Sequence, residues 1–255
     1  MANATQVLQE LVGMSRSLGR PERDLVILGE GNTSALCDDS TFWVKASGTQ
    51  LATIKESDFV RLWLRPIREL LDKGDLSDQE VKEAFEAAKV DPSSAKRPSV
   101  ETVLHALALS TAGAKFVGHT HPTAVNALLC STKVEEAIAG RLFPDEIVVC
   151  GPAPAYVPYT DPGLPLARAV HKALLRYMDE WGMPPKVILM QNHGMIALGN
   201  SAKEVDSVTA MYEKTCRILL GTFAFGGPHF LSEEHVMRIF TRPDEAYRRR
   251  ELKLE

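Results

Sequence analysis

The chain has 255 residues, of which 45% are hydrophobic and 24% charged, with a formal net charge of -4 at pH 7. This hydrophobic content is enough to bury a large core in one domain, and the small negative charge excludes the basic footprint of nucleic-acid-binding proteins. The four cysteines have no Cys-x-x-Cys spacing, and no segment has the pattern of a signal peptide or a membrane span. We therefore expect a reduced, cytoplasmic domain with neither nucleic-acid nor membrane partners.

Helical and extended patterns alternate in the first half of the chain. Apolar spacing predicts a helix over residues 4–19, and the apolar run Leu25-Val26-Ile27-Leu28 predicts a short buried strand. The next strand is predicted over residues 41–45. A capping box, Ser77-Asp78-Gln79-Glu80, predicts a helix that continues through Lys89. A further helix is expected from Ser99 to about Thr111.

The second half continues the alternation. Residues 112–117 predict a strand that leads into His119 and His121, where Pro122 would end the strand and begin a helix. Residues 147–150 predict another strand, before a Pro- and Gly-rich loop over 151–165. The remaining elements are a helix over 166–181, strands at 187–190 and 195–198, and a long helix from Ser201 to Gly221. Helices that flank a sheet predict an α/β sandwich, although these patterns do not determine the order of the strands.

Three histidines have the spacing of a metal site. His119 and His121 are two residues apart, so in a strand their side chains point to the same face. His193 lies between two apolar strands, at the tip of a Gly-containing turn. The pair alone is equally consistent with the polar face of a half-buried strand. Three imidazoles with an open fourth position, however, are the ligand set expected of a catalytic zinc ion.

Small polar residues form three clusters that suit an anion. The loop Gly29-Glu30-Gly31-Asn32-Thr33-Ser34 combines flexible glycines with hydrogen-bond donors, and Ser47-Gly48-Thr49 repeats this chemistry. Ser99 is predicted at a helix start, where free amides favour negative charge. Each cluster alone is also explained by an ordinary turn. Convergence of all three would predict a phosphate pocket.

Glu101 is the candidate acid/base. It falls in the first predicted turn of the Ser99 helix, where a surface carboxylate also interacts favourably with the helix dipole. If Glu101 faces the metal instead, it is able to ligate the ion and carry a proton. His105, four residues later, shares its helix face, which leaves a Glu101–His105 metal pair or a local ion pair as alternatives.

Five short motifs carry a family resemblance, and they occur in the same order as in that family. They are Gly31-Asn32-Thr33-Ser34, Ser47-Gly48-Thr49, Pro98-Ser99-Val100-Glu101, His119-Thr120-His121 and Asn192-His193-Gly194. Over about residues 5–222 the chain resembles the class II aldolase/adducin family. The segment from about residue 223 resembles the aldolase part of bifunctional rhamnulose-phosphate aldolase/dehydrogenases.

The resemblance implies a fold and an assembly. The expected fold is a three-layer α/β/α sandwich with a central, mostly antiparallel sheet. Residues 1–255 would form a single class II aldolase-like domain with a C-terminal extension from about residue 223. The family usually forms homotetramers with active sites at subunit interfaces.

The resemblance also implies an activity. His119, His121 and His193 would bind one zinc ion, and Glu101 would be the acid/base. The substrate phosphate would be held by Gly31, Asn32, Ser47, Gly48 and Ser99. The expected reaction is retro-aldol cleavage of a ketose phosphate, such as a ketose 1-phosphate, into an aldehyde and dihydroxyacetone phosphate.

Two features of the sequence qualify this expectation. Val100 stands where the phosphate aldolases of the family have a serine, so one hydroxyl donor for the phosphate is missing. Tyr247, in the extension, is a candidate proton donor to the site of a neighbouring subunit, whereas the plainer interpretation is a disordered end.

Other reactions of the family remain as alternatives. The 4-epimerases of the family tend to have Asp at the position of Glu101, which favours cleavage here. A dehydratase of the same family stays open. Non-catalytic, adducin-like binding proteins are expected to lack the full histidine set, which this chain has.

Overall fold

Seven short strands form one sheet in the computed structural model, which describes residues 4–251. The strands are β1 (Asn32–Leu36), β2 (Thr41–Lys45), β3 (Phe59–Trp63), β4 (Phe116–Thr120), β5 (Ala155–Val157), β6 (Val187–Met190) and β7 (Gly194–Gly199). Their order across the sheet is β3-β2-β1-β4-β7-β6-β5. All neighbouring pairs are antiparallel except β5 and β6, which are parallel. The expected mostly antiparallel sheet is confirmed.

Helices cover both faces of this sheet. They are α1 (Ala4–Leu18), α2 (Leu64–Arg68), α3 (Asp78–Ala87), α4 (Thr102–Ser110), α5 (Thr123–Leu129), α6 (Val134–Ala137), α7 (Pro144–Cys150), α8 (Leu164–Trp181), α9 (Ala202–Thr222), α10 (Glu233–Thr241) and α11 (Pro243–Glu251). On one face α2, α4 and α8 bury apolar side chains against the sheet, and on the other face α1, α5 and α9 do so. The two cores lie on opposite sides of the strands because successive strand residues alternate faces. The predicted three-layer sandwich is confirmed.

Local sequence signals explain where several helices begin and end. Ser77 and Glu80 form the predicted capping box of α3, which ends at Ala87 rather than continuing through Lys89. Ser201 caps α9 through the amide of Glu204. The left-handed backbone of Gly182, with φ +67°, ends α8 as predicted.

The predicted strand at residues 25–28 is wrong. This segment makes turns, and only Leu25 and Val26 are buried. Ile27 and Leu28 point outward, with Leu28 76% exposed and at φ +51°. The run of four apolar residues suggested a buried strand. The segment turns instead, and this brings the glycine-rich loop next to the C-terminal end of β4. The backbone amide of His121 donates to the Leu25 carbonyl at 2.9 Å, which fixes that position.

The predicted strand at residues 147–150 is also wrong, because these residues form most of α7. A run of four apolar residues fits a buried helix as well as a strand, and Pro144 at the first helical position favours the helix. Three strands were missed, because β1 also lies where the sequence indicated only a glycine-rich loop. β3 has no distinctive alternation, and β5 is only three residues long within the Pro- and Gly-rich loop.

The C-terminal helices pack apart from the sheet. Val236 and Ile239 of α10 bury against Ile147 and Val148 of α7 in a small third core. Between residues 4 and 251 we find no helix that is both long and apolar enough to cross a membrane.

Candidate metal centre

Strand pairing brings the three predicted histidines to one edge of the sheet. His119 lies in β4, opposite Asn32 of β1 and Ile196 of β7, and His121 follows one residue after the end of β4. His193 lies at the tip of the hairpin that joins β6 and β7. The preceding Asn192 adopts φ +54°, a left-handed conformation that Asn tolerates better than most residues. The Asn126 amide of α5 donates to the His193 carbonyl at 3.1 Å and holds the tip in place.

The three imidazoles converge in the way that a shared metal ion requires. One ring nitrogen from each residue lies within 4.8 Å of the others. The Nε2 atoms of His119 and His121 are 2.9 Å apart. Tetrahedral ligands that are each about 2.0–2.1 Å from zinc lie about 3.3 Å apart, so a small adjustment of these rings would accommodate the ion. This set of residues could hold a divalent metal.

The surroundings keep these donors neutral and oriented. His119 is fully buried, and its Nδ1–H donates to the Met195 carbonyl at 2.9 Å, which leaves the Nε2 lone pair toward the other two rings. Burial lowers the pKa of His119. Burial, with the neighbouring histidines, lowers the pKa of His121 to about 3. Neutral imidazole is the form that binds metal.

Gly194 is required for this convergence. A Cβ atom at this position would lie 2.6 Å from both His121 Cδ2 and the Thr120 carbonyl oxygen, closer than real Cβ atoms approach. The missing side chain therefore makes the space in which the hairpin tip and the end of β4 meet. From the sequence, Gly194 was predicted only as part of a turn and of the Asn192-His193-Gly194 motif.

Glu101 is a buried carboxylate that faces the histidines. Its Oε1 is buried without a hydrogen-bond partner and lies 3.1 Å from His193 Nε2. Its Oε2 lies 3.4 Å from His119 Nε2. Burial raises the pKa of this carboxyl, but the rings of His119 and His193 and the Asn32 amide outweigh burial and hold it well below its usual range. A buried, ionised oxygen without a partner, beside three imidazoles, fits a site for a cation.

A hydrogen-bond chain orients Glu101. The Asn32 amide nitrogen donates to Glu101 Oε2 at 2.7 Å, and Asn32 Oδ1 contacts His105 Nε2. Since Asn32 Oδ1 accepts, His105 carries its proton on Nε2, and its Nδ1 accepts from the Ser34 hydroxyl at 2.7 Å. Asn32 and Ser34 are two residues apart in β1, so their side chains lie on the same face of the sheet, the face that α4 covers. Much of the Asn32 side chain is thus used inside the protein.

His105 has neither of its predicted roles. Among residues 4–251 it belongs to no metal-binding group and forms no ion pair with Glu101. Burial lowers its pKa to about 3, so it is neutral. Helix α4 also begins later than predicted, at Thr102, so Ser99 and Glu101 lie in the turn before it. The Ser99 hydroxyl accepts a hydrogen bond from the Glu101 amide at 3.3 Å. Glu101 therefore faces the histidines from this turn and not from a face of the helix.

The predicted small polar clusters do meet beside the histidines. A cavity of about 270 Å³ is bordered by Gly31 and Asn32, by Ser47 and Gly48, and by Ser99, together with Glu101, His121 and His193. The backbone explains part of this convergence, because the Ser99 amide donates to the Lys45 carbonyl at 3.0 Å. At Gly31, with φ +65°, a Cβ would lie 2.7 Å from the His119 carbonyl oxygen, so only glycine lets this loop pass so close to β4.

Lys45 and Glu30 also border this cavity, and neither was predicted from the sequence as a site residue. Lys45 is buried, and its Nζ donates to the Gly29 carbonyl at 3.3 Å. Burial lowers the pKa of this ammonium group, while Glu101 opposes the shift. Glu30 Oε1 lies 3.9 Å from His121 Nδ1. A lysine at the end of a strand, just before a Ser-Gly turn, is the sequence signal that could have identified Lys45.

Tyr247 does not border this cavity. It is 59% exposed on α11, in the C-terminal helices that pack against α7. Within a single chain the structure therefore brings together the histidines, Glu101 and the small polar clusters, but not Tyr247.

Comparison with known sequences supports a family assignment. The family model of the class II aldolase and adducin N-terminal domain matches residues 9–220. The uncharacterized oxidoreductase YuxG of Bacillus subtilis (strain 168) is 30% identical over 223 aligned residues, and the match covers 83% of this chain and 28% of that protein. The chain therefore spans under a third of the length of this relative.

Solved structures show the same fold. L-fuculose 1-phosphate aldolase has a TM-score of 0.70 at 23% identity, over 94% of this chain and 96% of that chain. YgbL from Klebsiella pneumoniae has a TM-score of 0.71 at 20% identity, over 94% of this chain and all of that chain, 100%. With the family model covering most of its length, the chain belongs to the class II aldolase and adducin family.

Proposed function

We propose that this protein is a zinc-dependent aldolase that cleaves a ketose phosphate into an aldehyde and dihydroxyacetone phosphate. The observation that carries the proposal is the Glu101 carboxylate, whose Oε1 is buried without a hydrogen-bond partner and faces three convergent imidazoles. His119, His121 and His193 would hold the ion. A divalent ion supplies a Lewis acid that stabilises the negative charge developing on the substrate oxygens as the carbon–carbon bond breaks.

Glu101 moves the proton in this proposal. The ionised carboxylate accepts the proton of the substrate hydroxyl as that oxygen becomes the aldehyde carbonyl and the adjacent carbon–carbon bond breaks. The same carboxyl then returns the proton to the carbon that received the bonding electrons, so Glu101 ends the cycle as it began. The amide of Asn32 holds Oε2 at 2.7 Å and leaves Oε1 for this transfer.

The part of the same cavity that is bordered by Ser47, Gly48 and Ser99 suits the phosphate group of such a substrate. We call this part the anion pocket. Ser47 and Ser99 offer hydroxyls, and Gly48 leaves its backbone accessible because no heavy atom lies within 4 Å of where its Cβ would be. Lys45 adds a buried positive charge that no carboxylate pairs with directly in the part of the chain that the structure describes. A buried charge is costly unless it is compensated, and an anionic substrate would compensate it.

The proposal includes the assembly. We propose one class II aldolase-type domain over residues 1–255, of which 1–3 and 252–255 lie outside the described residues, with an extension from about residue 223. We also propose a homotetramer in the cytoplasm. Because Tyr247 lies away from the cavity of its own chain, its proposed role as a proton donor requires the site of a neighbouring copy.

Metal analysis and a substrate screen test this function. We expect one zinc ion per wild-type chain and little in His121→Ala. His235→Ala is the control, because His235 is exposed and does not belong to the group formed by His119, His121 and His193. Ketose 1-phosphates and the corresponding free sugars are then assayed separately for aldehyde release, epimer formation and water loss. Undiminished metal in His121→Ala would rule out the site, and epimer formation or water loss without aldehyde release would replace cleavage with another reaction.

A further inference from the structure

A second and larger cavity adjoins the metal-side cavity. It has a volume of about 720 Å³ and lies between α3, the segment before α4 and the start of α8. Ser47, Val100 and Pro162 border both cavities. We call the larger cavity the distal chamber. The two cavities therefore meet at the serine-bearing pocket that is proposed to hold the anion.

The distal chamber combines an apolar wall with unpaired cations. Leu76, Val81 and Phe85 form the apolar wall, while Lys82 and Arg97 supply positive charge. Neither of these cations has an ion-pair partner between residues 4 and 251. Three acidic residues, Asp78, Glu86 and Asp161, also border the chamber. Glu86 pairs with Lys89 at 2.5 Å, and Asp161 accepts from the Tyr159 hydroxyl at 3.1 Å. An organic group with an apolar face suits these walls.

Val100 stands at the junction of the two cavities. Its side chain is 66% exposed, although it lies between the buried residues Ser99 and Glu101. A serine here would add one more hydroxyl for an anion, whereas valine offers an apolar surface that a ligand passing from one cavity to the other would cover. The anion pocket thus has the metal ligands on one side and an apolar opening on the other.

This arrangement bears on the substrate class. A phosphate monoester ends at its phosphate group and would leave the distal chamber empty, whereas a phosphodiester continues on the far side of the phosphorus. We propose that the substrate is a ketose joined through a phosphodiester to a second group with an apolar face, and that the distal chamber binds this second group. The inference rests on the proposed function and specifies its substrate class. The phosphate-bearing product would then be dihydroxyacetone phosphate still esterified to the second group.

Binding of two simple diesters to the zinc-loaded protein tests the inference. Dimethyl phosphate and methyl phenyl phosphate carry the same charge and differ by a ring in place of a methyl group. We expect methyl phenyl phosphate to bind about tenfold more tightly in a titration followed by NMR. The reason is that its ring is transferred from water to the apolar wall of the distal chamber. Affinities for the two diesters within about twofold of each other would overturn the inference.

Two variants test whether the phenyl ring of methyl phenyl phosphate binds in the distal chamber. Val81→Trp would place an indole ring over the apolar wall of the distal chamber and should reduce the difference between the diesters while leaving dimethyl phosphate binding unchanged. Glu83→Trp is the matched control, because Glu83 is exposed on the same helix and does not border the chamber. If Val81→Trp fails to fold, Lys82→Trp at the exposed rim replaces it. If the variant with tryptophan in the chamber still binds methyl phenyl phosphate as much more tightly than dimethyl phosphate as the wild type does, the inference is contradicted.

Inorganic phosphate separates the two levels of the argument. If phosphate binds in competition with dimethyl phosphate but the ring adds no affinity, the anion pocket stands and only the distal chamber is rejected. If neither phosphate nor either diester binds, the anion pocket of the proposed function is rejected, and the inference is rejected with it.

Discussion

The two halves of the central cavity are built differently. In the metal half, His119 belongs to a central strand, His193 to the tip of a strand hairpin, and His121 directly follows a strand. In the anion half, most of the side chains come from loops and turns, such as Gly31, Ser47 and Ser99. Backbone register fixes the first half from both sides, whereas the second half depends on short segments in which Gly31 is restricted by the backbone of β4 and the side chains of Ser47 and Ser99 are not.

The difference suggests how chemistry and specificity are divided in this protein. Ring nitrogens must meet within a few tenths of an ångström to share an ion, and paired strands supply that precision. Recognition of the rest of a substrate tolerates changes in side chains on loops. Val100 is such a change in the anion half. We therefore expect substitutions in the metal half to abolish function and those in the anion half to shift preference.

Glu101→Gln should have the largest effect on turnover. The amide keeps the shape of the side chain but has no ionisable group, so proton transfer is lost and kcat should fall about 10²–10⁴-fold. Zinc content should stay near that of the wild type, because the three histidines are intact. Steady-state kinetics and metal analysis on the same preparation check both statements, and a fully active variant would remove Glu101 from the mechanism.

Gly194→Ala should weaken the metal half without changing any ligand. The new Cβ would lie 2.6 Å from the Thr120 carbonyl oxygen, so the hairpin tip must move away from β4. Displacement of supporting groups typically lowers metal affinity about 10–100-fold. Competition with a chelator measures this affinity. Gly74→Ala is the control, because nothing lies within 4 Å of its Cβ position. Equal affinity in both variants would show that Gly194 is dispensable.

Val100→Ser should change preference in the anion half by a smaller factor. The added hydroxyl lies next to Ser99, and one hydrogen bond to a charged oxygen is worth roughly 1.5–3 kcal/mol at best. For a substrate whose phosphate sits in this pocket, KM of the phosphate ester should fall about tenfold, the factor for the lower end of this range, while that of the free sugar stays the same. Kinetics with both forms decide the matter. Equal effects on both would place the phosphate elsewhere.

Truncation after Thr241 should have the smallest effect on the site itself. It removes α11 with Tyr247 and the ion pair of Arg248 with Asp145 at 2.8 Å, and such exposed pairs contribute about 0–1 kcal/mol. Metal content should therefore remain, while turnover falls if Tyr247 serves a neighbouring copy. Tyr247→Phe in the full chain separates loss of the hydroxyl from loss of the helix. Unchanged kinetics in both would assign the extension no part in catalysis.

The sequence predicted which motifs meet at the site better than it predicted the contacts between them. The His-x-His spacing and the apolar runs around His193 are local signals, and the structure places all three residues together as expected. The runs at 25–28 and 147–150 misled because four apolar residues suit a turn, a helix or a strand equally, and long-range packing decides among them. Lys45 and the orientation of Glu101 were missed because both depend on neighbours distant in sequence, Gly29 and Asn32.

The register between β1 and β4 links the site to the folding of the whole sheet. Asn32, which orients Glu101, is the direct partner of His119 across these strands. A shift of the β1–β4 pairing by one residue would turn Asn32 or His119 to the opposite face of the sheet. A mispaired sheet would therefore lack the arrangement of side chains that the site needs. An ion that binds only the correctly paired chain stabilises it by about 4 kcal/mol when its concentration is about a thousand times its Kd. Zinc would thus act as a selective ligand of the native strand pairing, and its removal should lower the melting temperature of the entire domain.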